Sequence, residues 1–382
     1  MPWERRTVEE SRLAFIREYQ EGEESKSALC RKYGISRPTG DMWLKRYESG
    51  EGLSDLSRAP RTHPLKTSWA KEEAILRLRA EHPGIGARKI KIILERKGID
   101  MPSANTVNEI LRRNGCISRE ASQAAEHLKR FVKAHPNEMW QADFKGHFGM
   151  KDGNRCHPLN VIDDNSRFCV CSVGQETEQL EETRRSFEAA FRKYGLPKRL
   201  LCDNGNPWGT AQSAGYTRFE VWLMDLNVHP IHGRPLHPQT QGKEERFNGS
   251  QTRELLNHIV MENMAHAQRK LDEYRDFYNQ ERPHEALDMK TPSEVYQPSP
   301  IPYPEKIPAW EYSAGCVRKV RYTGFINYEG QGYFLSEAFG NQYIAIVPTD
   351  TDGVFDVLYR NFRVARIDLK ERCVVSRKLC KL

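Results

Sequence analysis

Three acidic residues stand in segments that explain why a carboxylate should be there. Asp143 lies in the alternating stretch MWQADFKGHF, Asp203 ends the short apolar run RLLCDNG, and Glu245 lies in HPQTQGKEERFNGS. The first two segments predict strands, and the third predicts a loop that turns into a helix. Carboxylates that converge from different elements suit hard divalent cations, which prefer oxygen ligands. Because two such ions can activate an attacking oxygen and stabilise a leaving oxygen, the predicted chemistry is phosphoryl transfer on a phosphodiester.

Glu244 is a rival for the third carboxylate. Neighbouring positions on a helix differ by about 100° in direction, so we expect only one of Glu244 and Glu245 to face a site. Lys243 and Arg246 flank this pair and are predicted to neutralise phosphates, with solvated helix charges as the alternative. Two further acids, Asp163 and Asp164, follow an apolar stretch.

Charge is unevenly distributed along the 382 residues. The net charge of +7 divides into +8 for residues 1–135, −4 for residues 136–300 and +3 for residues 301–382. Basic segments on both sides of an acidic centre are typical of DNA-binding modules around a metal-dependent site. The alternative is that this moderate charge serves solubility alone.

The start of the chain predicts a helix-turn-helix domain over residues 1–56. A helix over residues 7–20 is followed by one that Ser25 caps, a glycine turn and a third helix that Ser36 caps. The third helix carries the predicted DNA-contact residues Arg37, Thr39, Lys45 and Arg46. The alternative is a three-helix bundle whose basic residues are only solvated.

A similar helical pattern follows the first one. Residues 57–67 are rich in Ser, Pro and Arg and predict a linker, whose Arg58 and Arg61 are candidate phosphate contacts. Residues 68–116 predict a second helix-turn-helix domain, in which the basic amphipathic stretch ARKIKIILERK supplies Arg88 and Lys89 as DNA contacts. Residues 117–136 predict a connector helix.

From residue 137 onwards the pattern is that of strands and helices. Residues 137–296 predict the order βββ-α-β-α-β-α, which indicates a mixed sheet with helices and hence an α/β domain. Residues 297–309 are a proline-rich linker that cannot be helical. Residues 310–382 predict five or six short strands, which is typical of a small antiparallel barrel.

Four sequence words, in this order, resemble the DDE transposases of bacterial insertion sequences. They are WQADF at 140–144, DNG at 203–205, HPQTQGKEERF at 237–247 and YNQERPHEAL at 278–287. That family shares the catalytic core of retroviral integrases, so the resemblance implies an RNase H-like fold for residues 137–296. It covers residues 130–300 closely and the flanking modules more loosely. The zinc module of viral integrases has no counterpart in this sequence, and the helical head stands in its place.

Carried over residue by residue, the resemblance assigns roles to particular positions. It makes Asp143, Asp203 and Glu245 the catalytic carboxylates and metal ligands, and it selects Glu245 over Glu244 because the family glutamate directly precedes Arg-Phe. Two Mg²⁺ ions are implied, with Mn²⁺ as a substitute. Asn204 and His237 are expected to position the scissile DNA end. Asn279, Arg282 and His284 match the last word and are expected to fix the helix and turn that end the core. In the family pattern Asp163 and Asp164 lie at a strand end and turn, so they are expected to be structural caps rather than ligands.

The implied activity is cleavage at the ends of an element and transfer of the resulting 3′-OH ends to target DNA. Double-stranded DNA is the implied partner, and paired ends imply a homodimer or a larger assembly on DNA. Two alternatives stay open, a silent domesticated transposase that acts as a DNA-binding regulator and an RNase H-like nuclease that only hydrolyses.

Composition sets the expected surroundings of the chain. No apolar run approaches the length of a membrane span, and MPWERRTVEE has no apolar signal region. We therefore expect a bacterial cytoplasmic protein associated with the nucleoid and not with a membrane. Nine cysteines without a CxxC pair are predicted to be reduced and to serve as small apolar residues.

Overall fold

The computed structural model describes residues 7–55, 67–117, 132–205, 207–208, 215–233 and 242–382. The chain divides into two compact units, Met1–Lys66 and Thr67–Leu382. In the described part of the chain, every helix is too short or too polar to cross a membrane. All nine cysteines are free thiols; five are buried, three are half-buried and Cys373 is exposed.

The first unit is a bundle of three helices. Helices α1 (Val8–Glu21), α2 (Lys26–Lys32) and α3 (Arg37–Glu48) begin after Thr7, Ser25 and Ser36, whose hydroxyl groups accept hydrogen bonds from the first turns. The apolar faces meet in a small core that includes Phe15, Leu29 and Leu44. The helix boundaries predicted for this unit are confirmed to within a few residues.

The second unit begins with another group of three helices. These are α4 (Trp69–Glu81), α5 (Ala87–Arg96) and α6 (Ala104–Arg113), and Ser103 caps the last one. Their apolar residues belong to one hydrophobic cluster that also contains Phe247, Leu271 and Tyr278 of the α/β domain. Residues 68–116, predicted as a second helix-turn-helix domain, therefore pack directly against the α/β domain.

A mixed sheet forms the centre of the second unit. Its strands are β1 (Trp140–Phe144), β2 (Phe148–Gly149), β3 (Arg155–Asp163), β4 (Cys169–Gln175), β5 (Arg199–Cys202) and β6 (His229–His232). Strand β3 pairs antiparallel with β1, β2 and β4, whereas β1, β5 and β6 run parallel. The carboxyl ends of β1 and β5 therefore lie side by side at one edge of the sheet.

Helices cover both faces of this sheet. On one face, α7 (Leu180–Tyr194) and α8 (Arg218–Asp225) bury an aromatic cluster that includes Trp140, Phe187 and Phe219. On the other face lie α9 (Gly242–Gln251), which continues into a π-helical segment over Thr252–Leu256, and α10 (Met264–Gln280). A short helix, α11 (Pro292–Val295), ends the domain.

The last module consists of strands. Strands β7 (Cys316–Lys319), β10 (Tyr343–Pro348), β11 (Val354–Tyr359), β12 (Phe362–Asp368), β13 (Cys373–Ser376) and β14 (Cys380–Lys381) form one antiparallel sheet, and β8 (Phe325–Tyr328) pairs with β9 (Gln331–Phe334). Both groups of strands share one core, which also takes Val221 and Met224 from α8.

The predicted fold class is confirmed, with a helical head, an integrase-like α/β core and an all-β end. The β module is more open than the expected barrel, because its hydrogen-bonded ladders within residues 310–382 form two separate sheets. The predicted connector helix lies mostly outside the described residues, and its described residues, 117 and 132–136, are not helical.

Candidate active site

Asp143 lies on the sheet face that α9 covers. Side chains alternate along a strand, and Trp140 and Ala142 of β1 enter the aromatic cluster, so Asp143 points to the opposite face. Burial raises the pKa of Asp143 to about 7, and the negative charges of Asp203, Glu178 and Glu245 act in the same direction. The described structure therefore brings Asp203 and Glu245 close enough to Asp143 for their charges to interact.

Asp203 follows β5, next to the end of β1. Its Oδ1 accepts a hydrogen bond of 2.9 Å from the backbone N–H of Gly205, and its backbone oxygen lies 2.8 Å from Nδ1 of His232. Nε2 of His232 lies 2.9 Å from Glu220. Burial alone would lower the pKa of His232, but the hydrogen bond and charge of Glu220 raise it. The Glu220–His232 pair thus holds the backbone that carries Asp203.

Helix α9 places both glutamates beside Asp143. Nδ2 of Asn248 donates a hydrogen bond of 3.0 Å to Oδ2 of Asp143, which fixes the side of the helix that faces the strand. Residues four and three positions earlier lie about 40° and about 60° to either side of that direction. Glu244 and Glu245 therefore lie on either side of this contact.

The two glutamates have very different surroundings. Glu245 is exposed, whereas Glu244 is 1% exposed and neither of its carboxylate oxygens has a hydrogen-bond partner among the described residues. Burial raises the pKa of Glu244 well above its usual range, and the charge of Asp143 adds to this. Glu244 occupies a buried position that an apolar residue would ordinarily fill. Glu245 is therefore favoured as the carboxylate that a cation or DNA could reach.

A buried network of polar side chains fastens α9 to the sheet. Nδ2 of Asn160 on β3 donates to Asn248 at 2.8 Å and to Gln251 at 2.9 Å, and the hydroxyl of Ser172 on β4 donates to Oδ1 of Asn160. Nε2 of Gln251 lies 3.2 Å from the hydroxyl of Ser172. Because hydrogen bonds are directional, the network fixes the rotation of α9 about its own axis.

Lys243 forms an ion pair with the buried carboxylate of Asp164. Asp164 also accepts hydrogen bonds from Nε2 of Gln141 and from the backbone N–H of Lys133. Burial lowers the pKa of Lys243 to about 8, although the hydrogen bond to Asp164 opposes this. This placement favours a role in anchoring the start of α9 over the predicted phosphate contact. Asp163 accepts hydrogen bonds from Asn137 and Ser166, in agreement with its predicted capping role.

A second buried ion pair holds the far end of the same helix. The guanidinium of Arg282 donates to both oxygens of Glu254, at 2.9 and 2.7 Å, and both side chains are about 5% exposed or less. Asn279 makes two hydrogen bonds to the backbone of Cys169 on β4. Contacts within the fold are thus observed for the last sequence word, as the resemblance implied.

The acidic groups fit divalent cations by their chemistry. Asp143 holds its proton up to about neutral pH because of burial and nearby negative charge, so a bound cation would relieve an existing electrostatic penalty. Both carboxyl oxygens of the buried Glu244 lack a hydrogen-bond partner among the described residues. Within the described ranges, however, no three His, Cys, Asp or Glu side chains are already grouped closely enough to hold a metal ion.

The predicted DNA contacts of the first unit differ in exposure. Arg37 and Lys45 are exposed on α3, and the hydroxyl of Thr39 is hydrogen-bonded to that of Ser36. The guanidinium of Arg46 instead packs over the ring of Trp43 and donates to the backbone oxygen of Ser54. Arg46 is therefore a weaker candidate for a DNA contact than Arg37 or Lys45.

The remaining predicted contacts are scattered. Arg246 is exposed beside Glu245, and Nδ2 of Asn204 donates to the backbone oxygen of Gly233 at 3.1 Å. Arg88 and Lys89 lie at the contact between α5 and the α/β domain. The other three, Arg58, Arg61 and His237, lie outside the described residues.

Sequence reasoning missed the supporting residues Asn160, Ser172, Glu220, Asn248 and Gln251. One signal was available, because Asn248 and Gln251 stand one helical turn apart on the side of α9 that also carries Glu244. Nothing in the sequence marked Asn160 as their common partner.

Four family models match parts of the chain. Two are described as integrase core domain and match residues 133–238 and 226–292. The C-terminal domain of the IS481 family transposases matches residues 316–374, and a helix-turn-helix domain matches residues 11–61. The assignments of the head as helix-turn-helix and of the centre as an integrase core are confirmed.

Similar proteins include products of bacterial insertion sequences. An uncharacterized 31.7 kDa protein of insertion element IS407 from Burkholderia multivorans is 26% identical over 63% of this chain and 87% of its own length. The transposase of insertion sequence IS904 from Lactococcus lactis is 25% identical over 56% of this chain and 88% of its own length. The resemblance to bacterial insertion-sequence transposases is thus confirmed.

Solved structures that resemble the chain include viral integrases. A simian T-cell lymphotropic virus intasome in complex with a PP2A regulatory subunit is 17% identical, covers 80% of this chain and 99% of its own, and has a TM-score of 0.38. The HTLV-2 integrase catalytic core in complex with magnesium is 18% identical, covers 42% of this chain and 97% of its own, and has a TM-score of 0.32.

Proposed function

We propose that this chain, which carries the helix-turn-helix and integrase core of insertion-sequence transposases, is a metal-dependent DDE transposase. It binds the terminal repeats of its element, cuts the DNA to give 3′-OH ends and joins these ends to target DNA. In this proposal residues 137–296 form the catalytic core. The DNA contacts of the head are Arg37, Thr39 and Lys45.

The placement of three carboxylates carries this proposal. Asp143 lies in β1, Asp203 follows the neighbouring strand β5, and Glu245 lies on α9, whose Asn248 is hydrogen-bonded to Asp143. In this proposal they hold two Mg²⁺ ions, for which Mn²⁺ substitutes. When bound, the ions supply activation of the attacking oxygen and stabilisation of the leaving oxygen.

Residues of the protein itself position the catalytic carboxylates. Asn248 orients the Asp143 carboxylate, His232 and Glu220 hold the Asp203 backbone, and the buried amide network sets the rotation of α9. Arg246, exposed beside Glu245, neutralises a DNA phosphate near the cut. Phosphoryl transfer depends mainly on this kind of positioning and charge neutralisation, so no covalent link between protein and DNA is required.

Strand transfer on the element's own ends tests the proposal. The substrate is a duplex that carries the genomic DNA flanking the coding sequence, incubated with supercoiled target plasmid and Mg²⁺. Asp143→Asn, Asp203→Asn and Glu245→Gln are each expected to abolish cutting and joining while end binding stays nearly unchanged. Glu262→Gln, which neutralises an exposed acid in the loop before α10, is the matched control and keeps full activity.

Other outcomes separate the alternatives. Cut DNA without joined products would favour a hydrolytic nuclease. Specific end binding without any cutting by the wild-type protein would favour a DNA-binding regulator. Loss of binding in all three carboxylate variants would contradict the proposed separation between the head and the catalytic core. Analytical ultracentrifugation with end DNA tests the expected homodimer or larger assembly.

A further inference from the structure

The second helical module, defined here as residues 67–117, has the order of a helix-turn-helix. Helix α5 ends at Arg96, a turn follows in which Gly98 has a φ of +82°, and the hydroxyl of Ser103 caps α6. In such motifs the helix after the turn reads the major groove. That position belongs to α6, not to the basic stretch of α5 from which DNA contacts were predicted.

The basic residues of α5 are used within the protein. Arg96 pairs with Glu294 at 3.0 Å, Lys97 pairs with Glu281 at 3.2 Å, and Arg88 approaches Glu285 at 3.9 Å. Burial lowers the pKa of Lys89 to about 8, with the nearby charge of Arg282 acting in the same direction. These contacts direct the charged side of α5 towards the α/β domain.

The second helical module packs closely against the α/β domain. The ring of His82 stacks on Phe277 of α10 with centroids 3.6 Å apart. Gly84 has a φ of +86°, and a Cβ added there would lie 2.8 Å from the backbone oxygen of Arg253. Apolar residues of α4, α5 and α6 share one core with α9 and α10. The module is therefore held in a fixed position relative to Glu245.

Helix α6 keeps a polar face directed away from this core. Val107, Ile110 and Leu111 are buried, whereas Asn105, Glu109 and Arg112 are exposed and Asn108 is half-buried. At about 100° per residue, these four polar side chains fall within about 100° of one another. Glu109 holds the guanidinium of Arg112 at 3.0 Å, which orients it along the helix face.

We infer that the polar face of α6 reads base edges of the element end in the major groove, at a fixed distance from the catalytic carboxylates. The inference deepens the proposed function and rests on it. Arg side chains bind guanine and Asn side chains bind adenine through paired hydrogen bonds, and a carboxylate accepts from cytosine. The face offers these groups and no exposed apolar residue, so its chemistry fits duplex DNA rather than a protein partner.

Binding without divalent metal tests the inference independently of cutting. Fluorescence anisotropy compares the duplex that carries the flanking DNA with a scrambled duplex of equal length and composition, using the full chain. Asn105→Ala, Asn108→Ala and Arg112→Ala are each expected to weaken binding to the flanking duplex about ten-fold and to leave binding to the scrambled duplex nearly unchanged. Arg269→Ala, which removes an exposed arginine from α10, is the control and keeps both affinities.

Each outcome decides between the possibilities. If the three α6 variants prefer the flanking duplex as strongly as the wild type does, the inference is overturned and the proposed function stands. If the wild type itself shows no preference for the flanking duplex, both the inference and the proposed function are overturned. Unchanged DNA binding with altered sedimentation would identify α6 as a contact between protein copies, which also overturns the inference. Thermal unfolding of each variant at the wild-type temperature shows that the exposed substitutions leave the fold intact.

The fixed distance between α6 and the catalytic carboxylates can be tested separately. Footprinting of wild type against Arg112→Ala locates the DNA segment that α6 protects. Inserting about half a helical turn, roughly 5 base pairs, between that segment and the cut end places the end on the wrong side of the duplex. Binding is then expected to persist while cutting is lost. Cutting of the inserted duplex at wild-type rate would show that α6 does not measure the distance.

Discussion

Neutralising Asp143 is expected to stabilise the metal-free protein although it abolishes the proposed activity. The pKa of Asp143 is raised from 3.8 to about 7, chiefly by burial. One pKa unit corresponds to about 1.4 kcal/mol, so holding the charged form costs the fold roughly 4 kcal/mol at pH 7 and above. An asparagine has nearly the same shape and can still accept the hydrogen bond from Asn248.

The pH dependence follows from the direction of the shift. Between pH 3.8 and about 7 the folded protein binds more protons at Asp143 than the unfolded chain does, so wild-type stability falls as pH rises through this window. The stabilisation by Asp143→Asn is therefore expected to be near zero below pH 4, to grow with pH, and to reach a plateau above pH 7.

Urea unfolding, monitored by tryptophan fluorescence in EDTA from pH 5 to pH 8, measures this difference. Addition of Mg²⁺ is expected to stabilise the wild type more than Asp143→Asn, because the cation relieves the same repulsion. Glu262→Gln again serves as the control and is expected to show no such pH dependence. A variant that is destabilised, or whose advantage is the same at every pH, would refute the electrostatic reasoning.

Three further substitutions test the supporting structure. Arg282→Ala leaves Glu254 buried and unpaired and is expected to cost about 3–5 kcal/mol in urea unfolding; a cost below about 1 kcal/mol would show that the pair is solvated. Asn160→Ala removes the donor that the side-chain oxygens of Asn248 and Gln251 share and is expected to speed amide hydrogen exchange in α9. Unchanged exchange would contradict the anchoring role of the network. His82→Ala removes the stack on Phe277 and is expected to make the second helical module susceptible to proteolysis before the catalytic core. Cleavage of the module and the core at the same rate would show that this contact does not hold the module in place.

The parts of the fold that follow from local rules were predictable. Ser25, Ser36 and Ser103 cap helices where the sequence indicated, and strands are found where the sequence indicated, one that carries Asp143 and one that ends just before Asp203. Caps and alternation act between residues a few positions apart, so a single sequence contains the information.

Features that depend on distant partners were not predictable. The basic stretch of α5 is consistent with DNA binding until Glu281 and Glu294, almost two hundred residues later, are seen opposite Lys97 and Arg96. Likewise, helix geometry allowed either Glu244 or Glu245 to face the site, and only the bond from Asn248 to Asp143 shows that the two flank it. The charge pattern of a sequence does not reveal whether a basic side chain contacts solvent, nucleic acid or an acidic residue of the protein itself.

The close approach at Gly84 has a consequence for how such an enzyme could change. Any side chain at this position would have an unfavourable backbone angle and would clash with the carbonyl of Arg253. The contact between the second helical module and the α/β domain therefore tolerates no larger residue at position 84. Under the proposed role of α6, a single substitution there would displace the second helical module and so uncouple recognition by α6 from cutting. The catalytic carboxylates would be unchanged, but the cut would no longer be set at a fixed distance from the DNA segment that α6 binds.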